Sequence, residues 1–191
     1  PGVIEHDLDA SFNGTQAGRK QIIHSGSYGF VEDKPQFHVD SFTVQCWVWP
    51  TTPKTHPKYW KHGAQGLVTK WHDNKGFGLF VNEDGCAELR INGEKITTGA
   101  PLRDHAWHFI AASYDAATGE ATLYHEPQIN YALDPVIEPV TAKVSGGVKH
   151  DNSPVVLAGY TGSHSDDPTA QSSVPAGIVI NGHYNGKLDD P

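Results

Sequence analysis

The chain has 191 residues, 37% of them hydrophobic and 19% charged, with twenty glycines, thirteen prolines and a formal net charge of −8. A polypeptide of this size buries roughly 70% of its unfolded surface, so disorder is excluded and one domain over residues 1–191 is expected. The acidic balance argues against general affinity for phosphate backbones, and no apolar run approaches the roughly 20 residues that span a bilayer; neither nucleic acid nor a membrane is an expected partner.

In chain order, Val3 to Asp9 is the first predicted strand, followed by an Asn13-Gly14 turn and a second run through Lys20, Ile22 and Ile23. Alternation sets Glu5, Asp7 and Asp9 on one face, and carboxylates two apart on a strand can approach the ~5 to 5.5 Å that retaining glycoside hydrolysis requires. On a first strand at a domain edge they read as solvated carboxylates, and no catalytic residue is assigned. The next strand, Phe42 to Pro50, puts Phe42, Val44, Cys46 and Val48 on an apolar face and Thr43, Gln45, Trp47 and Trp49 on the other. Those two tryptophans require a second cover, and Pro50 stops the strand because it lacks a ladder donor.

Residues 51–65 read as a long loop carrying Tyr59 and Trp60, after which Gly66 to Trp71, Phe77 to Val81 and Cys86 to Ile91 form a meander punctuated by Asp84-Gly85 and Asn92-Gly93. Phe77, Leu79 and Val81 are expected to oppose Ala87, Leu89 and Ile91 in one core layer. Trp107 to Asp115 and Glu120 to Tyr124 make a hairpin across Ala116-Ala117-Thr118-Gly119. The proline-bearing stretch from Glu126 to Ser153 reads as a crossing between sheets, and Val155 to Ala158 and Ile178 to Ile180 as the last strands. No 3.6-residue period persists over ten positions, so little or no helix is expected.

Chemistry-bearing constellations are sparse. His56 and His62 share a loop, whereas His105 and His108, an odd offset apart near a strand, diverge and cannot converge on a metal. Asp166, Asp167, Asp189 and Asp190 lack the spacing of a calcium loop, so no metal is assigned. There is no nucleophile elbow and no glycine-rich phosphate loop. Cys46 and Cys86 are expected to be free thiols of a cytoplasmic protein, a bridge between them being the alternative. Aromatics in or beside loops, Tyr59, Trp60, Trp71, Tyr160 and Tyr184, are candidate stacking surfaces for a sugar or a protein. With Trp47 and Trp49, the expected ligand or partner contacts are Tyr59, Trp60 and Tyr184.

The hairpin from Trp107 to Tyr124 resembles that of laminin G-like and pentraxin-like jelly rolls in the concanavalin A-like superfamily, which implies an all-β sandwich of two antiparallel sheets. Further segments resemble the laminin G-like part of the N,N-dimethylformamidase large subunit: Gly26-Ser27-Tyr28, Trp49-Pro50-Thr51-Thr52-Pro53, Gly66 to Trp71, and above all His183-Tyr184-Asn185-Gly186-Lys187-Leu188-Asp189. That resemblance implies a non-catalytic module packed against a catalytic part or another subunit of an amidohydrolase. It places iron, held by tyrosine and glutamate, only in a later domain, with no cofactor in this one. It also implies that a last strand follows Pro191 in a longer chain. The alternative is a carbohydrate-binding, lectin-like module.

Overall fold

The computed structural model describes residues 28–51, 63–163 and 179–191. The predicted strand Val3 to Asp9 with its three carboxylates, the run to Ile23, and His56, Tyr59, Trp60, His62, Asp166 and Asp167 lie outside the described residues.

Thirteen strands are present among the described residues: β1 (Gly29–Val31), β2 (Phe42–Pro50), β3 (Gln65–His72), β4 (Lys75–Val81), β5 (Cys86–Ile91), β6 (Glu94–Pro101), β7 (His108–Asp115), β8 (Glu120–Pro127), β9 (Val140–Lys143), β10 (Val155–Leu157), β11 (Tyr160–Gly162), β12 (Val179–Asn181) and β13 (Gly186–Asp189). The helical content there is a single 3₁₀ turn, Pro35–Phe37. The strands make an eight-stranded sheet, ordered β1-β10-β3-β4-β5-β6 with β11 and β12 joined through β3, and a five-stranded sheet, ordered β13-β2-β7-β8-β9. All pairings are antiparallel except the parallel bridge between Thr161 and His72. The fold is therefore the all-β sandwich of two largely antiparallel sheets expected from the sequence.

One apolar core lies between the sheets, fed by the inward set of every long strand. From β2 come Cys46 and Val48, from β7 Ile110 and Ala112, and from β8 Ala121 and Leu123, facing Leu67, Leu79, Val81, Ala87, Leu89 and Ile91 of the larger sheet. The predicted layer is present in register, with Phe77 opposite Ile91, Leu79 opposite Leu89 and Val81 opposite Ala87. Two-residue loops close this meander: Asp73-Asn74 between β3 and β4, and Asn92-Gly93 between β5 and β6, all four residues at positive φ. Such φ values match the primed turns that follow the strands' own twist.

Two expectations are corrected. The meander has a further strand, β6, because Asn92-Gly93 turns the chain back onto β5. Residues 128–139 link β8 to β9 within the smaller sheet, and the crossing comes after β9, at residues 144–154. Beyond the strands expected from the sequence, Gly186–Asp189 pairs with β2 from Pro50 to Trp47, so that among the described residues β13 lies at an edge of the smaller sheet.

The crossing is pinned by a buried lysine. Lys70 on β3 donates through Nζ to Asp33 Oδ1 at 2.6 Å and to the Ser153 carbonyl at 2.8 Å, and is 2% exposed. A buried ammonium is tolerated because acceptors on both sides replace its water.

Candidate binding face

The outer face of the five-stranded sheet is assembled row by row from strand register. Asp189, Trp47, Phe109 and Glu126 lie side by side across β13, β2, β7 and β8. The next row is Gln45, Ala111 and Tyr124, and the row after that is Thr43, Ser113, Thr122 and Thr141. Lys187 stands beside Trp49 at the opposite end. Since side chains two apart share a face, these residues point away from the core that holds Cys46, Val48, Ile110 and Leu123. The sheet is thus graded: aromatic rings at one end, hydroxyls at the other.

Trp47 and Trp49 are half-buried, as predicted for the outward set of β2. Part of their cover comes from the sheet itself. The Trp47 ring leans on Phe109 with centroids 5.4 Å apart, the Trp49 ring meets His105 edge-on at 5.0 Å, and the Lys187 ammonium sits 5.1 Å above Trp49. Tyr124 is 42% exposed and continues the aromatic patch. Phe109, Tyr124 and Lys187 were not singled out from the sequence, although counting alternation along the hairpin from Phe109 to Tyr124 marks both aromatics as outward.

At the hydroxyl end lies an open groove of about 650 Å³, lined by Ser41, Thr43, Ser113, Asp115, Thr118, Glu120, Thr122 and Lys143 beside the rings of Phe42 and Tyr114. Thr122 and Thr141 share a hydrogen bond of 3.0 Å, and the Asp115 carboxylate accepts from the backbone N–H of Ala117, which holds the hairpin turn.

Tyr184, Trp71 and Tyr160, also named from the sequence, are buried. Tyr184 has no exposed surface: it lies in the core against the β2 layer, where burial pushes its phenol well above the ordinary tyrosine range. Its backbone N–H donates to the Ala158 carbonyl, which draws the segment before β13 under the sheets. Trp71 and Tyr160 are buried with Phe80 and Ala64 on the opposite, outer side of the eight-stranded sheet. There Arg90 stacks 4.3 Å over Phe80 and donates through Nε to Glu88 at 2.6 Å, closing a covered layer.

Burial holds several titratable groups in their neutral forms. Cys46 is fully buried, and burial pushes its thiol up to about 12, so it stays protonated; Cys46 and Cys86 form no disulfide with each other. His108 points inward, its Nδ1 2.9 Å from Nε2 of His125, whereas His105 turns outward onto Trp49, so the two diverge as their spacing predicts. Burial, and then the neighbouring His108, holds His125 down to about 4. Among the described residues no group of three His, Cys, Asp or Glu is arranged to hold a metal ion, and no helix is long and apolar enough to cross a membrane.

Comparison with known proteins returns a family model described as the concanavalin A-like lectin/glucanases superfamily, matching residues 24–126. No curated protein matches the chain. Among solved structures, the CBM40 module of a Ruminococcus gnavus IT-sialidase bound to α2,3 sialyllactose aligns over 85% of this chain and 88% of that one, at TM-score 0.51 and 13% identity. A protein from Bacteroides ovatus ATCC 8483 aligns at the same score and identity over 84% of this chain, which spans 39% of its length. Domain 4 of AbnA, an extracellular GH43 arabinanase from Geobacillus stearothermophilus in complex with arabinotriose, aligns over 99% of this chain and 79% of that one, at TM-score 0.47 and 16% identity.

Proposed function

The chain belongs to the concanavalin A-like lectin/glucanases superfamily, and from that premise we propose that it is a non-catalytic docking module whose working surface is the outer face of the five-stranded sheet. The partner in this reading is the catalytic part, or another subunit, of a cytoplasmic amidohydrolase similar to the N,N-dimethylformamidase large subunit. Any iron belongs to that part. The run His183 to Asp189 carries the resemblance, and Trp47 and Phe109 in one row with Tyr124 in the next carry the docking surface.

The observation behind it is the arrangement of the rows at this end of the sheet. The half-buried rings of Trp47 and Phe109 stand at their centre and charged Asp189, Lys187 and Glu126 at their edges, the distribution of a protein interface with an apolar middle and a polar rim. Lys187 and His105 already occupy positions against Trp49, which leaves edges and flanks, not a free ring face, for a partner. Protein surfaces accommodate such relief, while a sugar ring stacks best on an open face.

The test is to express the remainder of the intact protein separately and measure its association with this module. Trp47→Gln is expected to weaken association at least tenfold while the far-ultraviolet circular dichroism stays that of a β protein. Unchanged affinity in that variant would remove the reading.

A second reading is favoured by the hydroxyl-lined groove around Thr43, Ser113 and Thr122. The solved structure with sialyllactose is a carbohydrate complex, and a neutral oligosaccharide lying in this groove would be held by those hydroxyls with Tyr124 at its end. A glycan array decides: binding lost in Thr43→Val with Thr122→Val supports it, and no binding to any glycan excludes it.

A further inference from the structure

The connection between β8 and β9 presents Ile129, Tyr131, Leu133 and Val136 to solvent, and Leu133 is 98% exposed. A twelve-residue loop has no folding reason to carry four large apolar side chains outward, since each would gain by burial and none contributes to the core. Nor is the loop loosely held. Arg103 reaches it three times: its guanidinium donates to Asp134 Oδ2 at 2.8 Å and to the Ile129 carbonyl at 3.4 Å, and stacks 4.9 Å over the Tyr131 ring. Asp134 accepts the backbone N–H of Tyr131 through Oδ2, and its own N–H returns to the Tyr131 carbonyl at 2.8 Å, so the turn that carries Leu133 is closed on itself.

Its position extends the face described above. Gln128 at the start of the loop donates to the Trp107 carbonyl beside β7, and Arg103 precedes His105, whose ring lies on Trp49. The charge around it has one sign. Residues 126–139 hold Glu126, Asp134 and Glu138 and no lysine or arginine, Asp104 is exposed nearby, and Arg103 is neutralised by Asp134.

We propose that the Leu133 turn is a preformed hydrophobic peg that inserts into an apolar pocket bordered by lysine or arginine on the same protein partner that covers Trp47. This rests on the docking reading and deepens it. The braced turn removes part of the ordering cost of binding, the exposed leucine supplies the desolvated anchor, and the surrounding carboxylates select a basic rim. The same carboxylates oppose a second copy of this acidic chain and an anionic bilayer.

The test places a benzoylphenylalanine photocrosslinker at Leu133 in the intact protein within its native cells, and maps the crosslinked peptide by mass spectrometry. The expected product joins Leu133 to a partner peptide of apolar residues flanked by lysine or arginine. It is expected to fall at least tenfold in a Glu126→Lys, Glu138→Lys background and to weaken at high salt. A crosslink to lipid, to another copy of this chain or to a peptide without basic flanks overturns the proposal, as does no crosslink at all. A parallel crosslinker at Trp47 separates the two claims: capture of the partner at Trp47 but not at Leu133 leaves the docking reading standing and removes the peg, while failure at both removes both.

Discussion

The two outer faces of the sandwich carry similar aromatic inventories and treat them in opposite ways. On the eight-stranded sheet Trp71, Phe80 and Tyr160 are sealed, Phe80 completely, beneath a layer that includes the Arg90–Glu88 pair. On the five-stranded sheet Trp47, Trp49 and Phe109 remain half-buried and Tyr124 exposed. An aromatic ring packed on both sides stabilises the fold, whereas a half-covered one is held in place while keeping surface in reserve. The difference separates the side of the molecule that seals its rings into the fold from the side that keeps aromatic surface exposed.

The comparison breaks most readily at Phe80. Phe80→Ala empties a ring site contacted by Trp71, Tyr160 and Arg90, and is expected to cost about 3 to 5 kcal/mol in urea unfolding. A cost below about 1 kcal/mol would mean the sealed face is no second core. Acid provides the next largest effect. Because burial keeps His125 neutral down to about 4, the unfolded chain takes up its proton first, near pH 6.5. Stability is therefore complete above about pH 6.5, is lost as the pH falls toward 4, and levels off below that. This histidine alone contributes on the order of 3 kcal/mol to that loss. Urea unfolding of His125→Leu across this window is expected to show a shallower decline than wild type; parallel curves would contradict the buried neutral pair.

Smaller again is the expected cost of opening the exposed side. Trp47→Gln removes a ring that already meets water and is expected to lower stability by about 1 kcal/mol or less in the same assay. A loss comparable to Phe80→Ala would show that Trp47 serves the fold. The smallest effect is kinetic: Cys46, with its thiol raised to about 12, is expected to resist a thiol reagent in the native state and to react, together with Cys86, only after unfolding.

The alternation of β2 was readable because a strand's period assigns every side chain once its ends are known, and Cys46 inward with Trp47 outward follows directly. Paired runs separated by Asn92-Gly93 or by the Asp115 turn were equally legible, since the turn chemistry is local. What failed to show is what depends on partners distant in sequence. Tyr184 follows no strand period; it is buried because its backbone bonds to Ala158, 26 positions earlier. Lys70, Glu88 and Arg90 look like solvent-facing charges, yet Asp33 and Ser153 enclose the first and the latter two neutralise each other. Leu133 misleads in the other direction, because hydrophobicity alone predicts burial and only the Arg103 brace turns it outward.

The assignment of the five-stranded sheet's outer face as the working surface is tested most directly by carbene footprinting of the module, free and within the intact protein. Labelling is expected to fall at Trp47, Trp49, Phe109, Tyr124 and Leu133 in the intact protein and to stay constant at Phe30 and Val31 on β1, which among the described residues lies at an edge of the larger sheet. Protection confined to β1, with the tryptophan row labelled equally in both states, would contradict it.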